Sequence, residues 1–384
     1  MQKTRSTILA VLISFTVSHM QSEAKTDDPL AFIGTYTEGK NKGKGIYSFR
    51  FVPASGELRL LSVREGIKNP SFLAVHPDGK YLYAVSEVAE TEGKPGGSVW
   101  AYKIDHATGT LSPINHQSSE GSGPCYAAVD NSGSSLLVAN YDSGSIASLP
   151  INKDGSLGKA SSAIQHEGKS IDPERQKGPH AHSINVTPDN HYAIAADLGM
   201  DKLLIYKLDP KTSKLERNEP AFCSSMPGGG PRHLSFALDG RFAYVANEMK
   251  SSVSAFAFDA AKGALSEIQT VSTLKDEVPG NSTAEIKMHP NGKFLYCSNR
   301  GHDSLAIFSV DGDSGKLSLI GHQKTGGQTP RNFGIDPTGN YIIVCNQNSN
   351  NALVFKIDLN TGLLNQLGEP VSVAAPVCVK FLQP

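Results

Sequence analysis

A short cassette recurs along this 384-residue chain, and its repetition limits the possible folds more than any other feature. Each copy has a short alternating apolar segment, then a turn and a leucine. The seven turn strings are SGEL, TGTL, DGSL, TSKL, KGAL, SGKL and TGLL, which end at Leu58, Leu111, Leu157, Leu215, Leu265, Leu317 and Leu364. The leucines are spaced by about 50 residues, and repeats of that length built from short strands are typical of β-propellers.

A hairpin pattern precedes most of these strings. Alternating apolar residues lead into a two-residue turn such as Asp-Gly or Asn-Gly, and a β-branched and aromatic run returns. Six segments share this pattern: PSFLAVHPDGKYLYAVSE (70–87), PCYAAVDNSGSSLLVANY (124–141), AHSINVTPDNHYAIAADL (181–198), PRHLSFALDGRFAYVANE (231–248), TAEIKMHPNGKFLYCSNR (283–300) and PRNFGIDPTGNYIIVCNQ (330–347). With the segment before the turn string and a strand after its leucine, each repeat supplies four strands, which is one propeller blade.

The seventh hairpin is divided between the two ends of the chain. The segment PVCVKFLQP (376–384) matches the first strand of a blade, and AFIGTY (31–36) matches the second. We therefore predict an all-β fold, a seven-bladed β-propeller in one domain over residues 29–384, whose last blade is closed by the N- and C-terminal strands. Such a closure removes the open edges at which sheets otherwise pair with other chains.

The first 24 residues have the outline of a secretory signal peptide. Lys3 and Arg5 precede an apolar run, Ile8–Val17, which is too short to span a bilayer. Ser22 and Ala24 then supply small residues at positions −3 and −1 of a cleavage site. We predict that residues 1–24 are removed and that the protein is exported to the periplasm or secreted, with no membrane span.

Composition excludes several classes of function. The 36 basic and 37 acidic residues nearly cancel, so nothing predicts nucleic-acid binding. The five cysteines are odd in number and lack CxxC spacing, which argues against zinc sites and a disulfide framework. His180 and His182 share one strand face but have no obvious carboxylate as third ligand nearby. We predict no metal and no other cofactor, and we make no prediction of oligomeric state.

Two positions of the repeat hold residues of different types in the different copies. In a propeller the first strand of each blade lines the central channel, so the second residue of each hairpin and the residue ending its second strand should lie near one mouth of the channel. The first position holds Ser71, Cys125, His182, Arg232, Ala284, Arg331 and Val377, and the other holds Glu87, Tyr141, Leu198, Glu248, Arg300, Gln347 and Tyr36. Polar variety at equivalent positions of a repeating scaffold indicates a binding surface.

The chemistry of these residues suits a small anionic substrate. His182, Arg232, Glu248 and Arg300 fall on three consecutive predicted blades and are the candidate catalytic residues. Guanidiniums can grip an anionic group or stabilise an oxyanion, and a carboxylate or imidazole can take a proton from water. An ion-pair network that only ties blades together is the alternative. The candidate substrate-binding residues are Tyr36, Glu87, Tyr141, Arg331 and Gln347.

The combination of GPHAHSINVTPDN, GPRHLSF with VANE, CSNR and PRNFGIDPTGNYIIVCNQ resembles the seven-bladed lactonase family, which includes propeller-type 6-phosphogluconolactonases and fungal carboxy-muconate cyclases. The resemblance covers about residues 29–384. It implies an active site formed by a histidine before the TPD turn, an arginine in PRH, a glutamate ending VANE and an arginine in SNR, which here are His182, Arg232, Glu248 and Arg300. All four match the set identified from the repeat.

The resemblance implies hydrolysis of a sugar lactone, 6-phosphogluconolactone or a related aldonolactone, to the open-chain acid. Arg232 and Arg300 would hold an anionic group or polarise the carbonyl, and either Glu248 or His182 would activate water. The predicted export departs from this pattern, because phosphorylated sugars are kept in the cytosol, and it favours an unphosphorylated lactone. The alternatives are a muconate-type lactonising cyclase and an exported non-catalytic propeller that binds a protein or a cell-surface partner.

Overall fold

The computed structural model describes residues 28–39 and 41–382, and the predicted signal peptide (1–24) lies outside the described residues. Within those residues the chain forms seven four-stranded antiparallel sheets, one two-stranded hairpin and a single 3₁₀ turn, Glu248–Lys250. The innermost strand of each sheet contacts the innermost strand of the next, and the last contacts the first. The sheets therefore close into a ring, and the predicted seven-bladed propeller is confirmed.

Each blade uses its strands in chain order from the channel outward, with one exception at the closure. Blade 1 contains β4 (Leu73–Val75), β5 (Tyr81–Ser86), β8 (Ser98–Ile104) and β9 (Leu111–Ser118). Blades 2 and 3 contain β10 (Pro124–Val129), β11 (Ser135–Asn140), β12 (Ser145–Pro150) and β13 (Ser162–Gln165), then β14 (Ala181–Val186), β15 (Tyr192–Asp197), β16 (Lys202–Asp209) and β17 (Lys214–Ser224). Blade 4 contains β18 (Pro231–Phe236), β19 (Phe242–Asn247), β20 (Ser252–Asp259) and β21 (Ala264–Ser272).

Blades 5 and 6 contain β22 (Ser282–Met288), β23 (Phe294–Arg300), β24 (Ser304–Val310) and β25 (Leu317–Lys324), then β26 (Pro330–Ile335), β27 (Tyr341–Asn346), β28 (Asn351–Ile357) and β29 (Leu364–Ser372). Blade 7 is the closing blade, in the order β30 (Pro376–Phe381), β1 (Leu30–Thr35), β2 (Ile46–Val52) and β3 (Glu57–Arg64). The C-terminal strand is thus innermost and pairs with the N-terminal strand, with Phe32 opposite Lys380. The predicted closure by the two chain ends is confirmed.

The core lies between the blades. The middle strands are buried on both faces, as in β11, where all six residues are buried. The outer strands are mostly exposed or half-buried, as in β9 and β29, because one of their faces meets solvent. Because the side-chain period of a strand is two, the hairpin turns fix which residues enter this core.

A β-bulge near the start of the inner strand sets the direction of the side chains at one mouth of the channel. In blade 2 the ladder passes from Pro124 to Tyr126, and in blade 3 from Ala181 to Ser183, so that Cys125 and His182 are left out of the pairing. Blade 4 skips two residues, Arg232 and His233. Bulges re-aim side chains in this way next to functional sites. The second hairpin position therefore faces the channel mouth rather than the space between blades.

Two insertions interrupt the repeat. The sequence predicts a polar loop over residues 91–97, whereas in the structure β6 (Glu90–Thr91) and β7 (Lys94–Pro95) pair as a small hairpin. The segment after Gln165 connects β13 to β14 without a strand of its own. Among residues 28–39 and 41–382, no helix is long and apolar enough to cross a membrane.

Candidate active site

The four predicted catalytic residues meet at one mouth of the channel. His182, Glu248 and Arg300 line an open cleft of about 340 Å³, and Arg232 lies at its base. His182 and Arg232 belong to the innermost strands of blades 3 and 4. Glu248 directly follows the second strand of blade 4, and Arg300 ends the second strand of blade 5. The volume is in the range of small-molecule sites.

Glu248 is the centre of an arginine clamp. One of its carboxylate oxygens accepts a hydrogen bond from Arg232 Nε at 2.8 Å and forms an ion pair with Arg300 Nη2 at 3.0 Å. The other accepts one from Arg175 Nη2 at 2.9 Å. The carboxylate is only 8% exposed, so these bonds are weakly screened by solvent. Glu248 therefore holds three guanidiniums in fixed positions at the cleft.

The charge state of Glu248 follows from this clamp. Burial by itself would raise the pKa of the carboxyl group, but the charges of Arg300 and Arg232 outweigh burial and hold the pKa well below its ordinary value. Burial lowers the pKa of Arg300 to about 10, and Glu248 opposes that decrease. At neutral pH the site thus contains a carboxylate and protonated guanidiniums.

His182 has a different environment. Its Nδ1 lies 3.6 Å from Cys125 Sγ, and the Cys125 thiol is placed to donate to the backbone oxygen of His182 at 3.5 Å. The rings of Tyr141 and His233 pack edge-on against the imidazole. Among the described residues, Nε2 has no hydrogen-bond partner. The second ring nitrogen is therefore available to a molecule in the cleft.

The imidazole of His182 is neutral in the folded protein. Burial, together with the charge of Arg232, lowers its pKa well below the ordinary value of 6.5. Because the thiol hydrogen can go to a backbone oxygen, Nδ1 can carry the ring proton and donate it toward the sulfur. That tautomer leaves the lone pair on Nε2.

Three of the predicted substrate-binding residues form one hydrogen-bonded group on the opposite side of the cleft. Tyr36 Oη donates to the Glu87 carboxylate at 3.1 Å and accepts from Arg331 Nη2 at 3.0 Å. Ser71 Oγ donates a short hydrogen bond to Glu87. Glu87 and Arg331 line the cleft, whereas Tyr36 supports them from behind. The remaining nitrogens of Arg331 make no hydrogen bond with described residues, so that guanidinium can bind a ligand.

The other two predicted residues differ in their placement. Tyr141 lines the cleft, where its hydroxyl accepts a hydrogen bond from Arg175 at 3.0 Å and its ring stacks on His180. Gln347 does not belong to the cleft lining, and its side-chain oxygen is buried without a hydrogen-bond partner among the described residues. Equivalent positions in the repeat are thus not equivalent in their access to the cleft, whose lining includes Glu87 of blade 1 and Arg331 of blade 6 but not Gln347.

The repeat comparison missed Arg175, the third member of the clamp. It lies in the insertion that connects blade 2 to blade 3, and side-chain hydrogen bonds anchor this insertion at several points. His166 Nδ1 pairs with Asp197 at 2.6 Å with both side chains fully buried, and Gln176 Nε2 donates to Asp201 at 2.7 Å. From the sequence alone, the polar segment 165–178 is predicted only to be a loop on a blade face. Its length was the available signal, since loops that a rigid scaffold positions often carry function.

Asp201 also fixes the glycine-rich segment before Arg232. The backbone N–H groups of Gly228 and Gly230 donate to its carboxylate at 2.6 and 2.8 Å, and both glycines adopt positive φ. The sequence predicts a flexible lead into the Arg232 strand. The structure instead shows a tightly bonded turn, in which glycine is needed at both positive-φ positions.

We expect Arg175→Gln to lower kcat/KM for the substrate by about 10- to 100-fold, because one of three charge-assisted bonds to Glu248 is lost. Its side chain is 46% exposed, so the free energy of unfolding should change by less than about 1 kcal/mol. Steady-state kinetics and a urea titration measure the two effects. Lys177→Gln, an exposed change in the same loop, is the control, and equal kinetics of both variants would contradict a role for Arg175.

A second polar layer lies beneath the cleft. His233 Nδ1 is 3.2 Å from Glu285, Asn332 Nδ2 donates to the same carboxylate, and Arg232 Nη1 lies 3.2 Å from His233 Nε2. Burial lowers the pKa of His233 to about 3, so its ring is neutral. Burial would raise the pKa of Glu285, but Lys287 and His233 bring it well below its ordinary range. This layer joins blades 4, 5 and 6.

These buried groups predict a stability that decreases in acid. His233 and His182 are neutral in the fold but take up protons below about pH 6.5 once unfolded, so stability is complete above that pH and is lost as the pH falls. The loss should approach about 1 kcal/mol per pH unit for each histidine. Below pH 4.5, Glu248 and Glu285 add a further loss, because their carboxylates must be protonated in the unfolded chain.

Urea denaturation at pH 7.5, 5.5 and 4 measures this dependence. His233→Asn should flatten the slope between pH 6.5 and 4.5, whereas His191→Gln, whose side chain is 75% exposed, should leave it unchanged. A wild-type slope of zero over that interval would show that the two buried histidines are not neutral in the fold.

Within the part of the chain that the structure describes, no group of three His, Cys, Asp or Glu side chains is placed to hold a metal ion. The five cysteines are free, and four of them are buried. Cys125 is buried at the cleft, where burial raises the pKa of its thiol. The site chemistry available from this chain is therefore that of an imidazole, a fixed carboxylate and several guanidiniums.

Comparison with known proteins places this site in a family context. The sequence profile of the family described as "Lactonase, 7-bladed beta-propeller" matches residues 30–381. The chain is 38% identical over 354 residues to a Bacillus subtilis protein named 6-phosphogluconolactonase, covering 92% of this chain and 98% of that one.

Solved structures show the same similarity. A Bacteroides fragilis protein, described as a candidate 6-phosphogluconolactonase, superimposes with a TM-score of 0.86 at 39% identity and covers 94% of this chain and 100% of its own. The periplasmic gluconolactonase of Pseudomonas aeruginosa superimposes with a TM-score of 0.85 at 34% identity, covering 92% of this chain and 99% of its own.

Proposed function

This chain belongs to the family of seven-bladed β-propeller lactonases, and from that membership we propose that it hydrolyses an unphosphorylated aldonolactone of the gluconolactone type after export. The family and the relatives that are named as lactonases support lactonase activity. The observation that carries the proposal is the convergence of His182, Glu248, Arg300 and Arg331 on one cleft. The predicted signal sequence supports export, and a relative at 34% identity is named a periplasmic gluconolactonase.

The charge of the cleft suits a neutral substrate. Four arginines at positions 175, 232, 300 and 331 face three carboxylates at positions 87, 142 and 248, so the surplus is one positive charge when His182 is neutral. A neutral lactone develops one negative charge as water adds to its carbonyl carbon. The surplus thus matches the charge that appears in the transition state, which is the condition for electrostatic catalysis.

His182 is the proposed general base. Its neutral imidazole presents Nε2 to the cleft, and a water molecule there can give its proton to this nitrogen as its oxygen bonds to the carbonyl carbon. Arg331, with free N–H groups, is placed to receive the oxyanion. The C–O bond of the lactone ring then breaks, and the ring oxygen takes the proton from the imidazolium. The products are the open-chain acid and the neutral His182.

Glu248 has a positioning role in this scheme. Three arginines occupy both of its oxygens, so the carboxylate is not placed to accept a proton from water. The charges of Arg300 and Arg232 hold its pKa well below the ordinary value and keep it ionised, so it can orient Arg232, Arg300 and Arg175 throughout the reaction. Arg232 is likewise held in place, since its Nε donates to Glu248 and its Nη1 donates to the backbone oxygen of Ala284 at 2.9 Å.

A turnover assay tests the substrate. The mature chain, residues 25–384, is supplied with glucono-1,5-lactone or with its 6-phosphate, and spontaneous hydrolysis is subtracted. The expected result is a higher kcat/KM for the unphosphorylated lactone. A higher value for the phosphate would reverse the substrate assignment while leaving lactone hydrolysis in place, and hydrolysis of neither compound above background would contradict the proposal. Periplasmic or extracellular fractionation of the full-length chain tests export.

A further inference from the structure

The opposite end of the channel carries a second charged feature, which the reaction does not use. The inner strands run away from the cleft, with their second residues at the cleft and their fifth residues near the other mouth. At this fifth position, five blades carry small or uncharged residues and two carry lysines, Lys287 and Lys380. All but two of the seven are partly exposed, so this mouth is open to solvent.

Lys380 has no acceptor for its ammonium group. Its Nζ lies 4.5 Å from the centre of the Phe72 ring, and among the described residues it makes no hydrogen bond or ion pair. The strand that carries it is innermost in the closing blade, so the side chain is held in the channel rather than extended into solvent. A partly buried ammonium that has only an aromatic ring as its partner retains hydrogen-bond donors for a ligand.

The carboxylate nearest to Lys287, that of Glu285, also binds other groups. Its Nζ lies 3.6 Å from Glu285, beyond the length of a good hydrogen bond. The carboxylate of Glu285 already accepts from Asn332 and from the backbone N–H of Ile286, and it lies against His233. Lys287 is therefore only weakly paired, because the nearby carboxylate is largely committed elsewhere.

The middle of the channel separates this mouth from the cleft. Phe72 and Tyr126 stack with their ring centres 4.2 Å apart, and His233 packs edge-on against both rings. These side chains are buried, and they lie between the cleft and the mouth that carries Lys287 and Lys380, the lysine mouth. Tyr126 Oη donates to Asn185 Oδ1 at 2.7 Å, which adds a polar wall to this mouth.

We propose that the lysine mouth is a binding site for a small oxyanion, a phosphate, sulfate or short carboxylate, held between Lys380 and Lys287. The ligand supplies the acceptor oxygens that the two ammoniums lack and relieves the repulsion between them. Burial and the charge of Lys287 lower the pKa of Lys380, and Glu285 opposes this decrease. The site is independent of the lactonase reaction.

Crystals soaked in sodium selenate provide the direct test, because anomalous scattering shows where the oxyanion binds. The expected result is a selenium peak at the lysine mouth, with oxygens about 3 Å from both ammonium nitrogens. A peak in the arginine cleft alone, or no peak, would overturn the proposal.

Calorimetric titration with inorganic phosphate gives the matching solution measurement. Lys380→Met should weaken the binding event at this mouth by at least about tenfold, because a charge-assisted hydrogen bond is lost. Lys262→Met, whose side chain is 74% exposed, is the control and should bind as the wild type does. The same affinity in all three proteins would overturn the proposal. Lys287→Met serves in the same comparison if Lys380→Met does not fold.

Discussion

Replacing His182 with glutamine should lower kcat/KM for lactone hydrolysis by about 10²- to 10⁴-fold, the usual contribution of a general base. The imidazole is neutral and Nε2 faces the cleft without a partner among the described residues, so its loss removes the proton acceptor. Glutamine retains a polar side chain of similar reach but cannot accept and return a proton. Initial rates on glucono-1,5-lactone, corrected for spontaneous hydrolysis, measure the effect.

The pH profile distinguishes a catalytic role from a structural one. Because the pKa of His182 lies well below 6.5, the wild-type kcat/KM should show no acid limb near pH 6.5 and should decline only at lower pH. His191→Gln, on an exposed turn, should keep the full rate and the same profile. A His182→Gln protein that melts like the wild type and retains its activity would rule out His182 as the base.

Glu248→Gln should produce the largest combined loss of stability and activity. The amide leaves three guanidiniums facing one another with their shared counterion removed, at a site where the carboxylate is 8% exposed. Breaking a buried ion pair in this manner costs about 3 kcal/mol of unfolding free energy. We expect kcat/KM to fall by about 100-fold or more, since the positions of Arg232, Arg300 and Arg175 depend on this carboxylate.

Urea titrations with and without millimolar phosphate test the clamp. An added anion can occupy the space among the arginines, so phosphate should stabilise Glu248→Gln more than the wild type. Asp239→Asn removes the partner of Arg241 in an exposed pair and should cost less than about 1 kcal/mol. Unchanged stability and turnover in Glu248→Gln would mean that the three short contacts contribute nothing to either property.

The different roles proposed for these two residues rest on the tertiary structure. The sequence left Glu248 and His182 as equal candidates for the base, because both are chemically capable of accepting a proton. What distinguishes them is the number of cations that surround each one. Glu248 has three guanidiniums within 3.0 Å, whereas His182 has a thiol and two aromatic rings beside it. Contacts of this kind depend on how neighbouring blades approach each other.

The sequence by itself determined the fold and the set of residues expected at the cleft. The two-residue turns and the period of two fix each hairpin, and the divided hairpin at residues 31–36 and 376–384 specifies ring closure, so seven blades followed from local pattern alone. The same register identified the column that holds His182, Arg232 and Arg331. These features are readable because strand pairing within a blade uses neighbouring segments of the chain, whose hydrogen-bond register the turn sets.

Only the tertiary structure decided which residues at these two repeat positions lie together in the cleft. Arg175 belongs to an insertion that has no counterpart in the other repeats, so no internal comparison could select it, and buried bonds from His166 and Gln176 hold its loop in place. Gln347 matches Glu248 in the repeat yet lies outside the cleft. The physical reason is that a repeat records equivalence along the chain, whereas the cleft is asymmetric and is formed by inserted loops and contacts between blades.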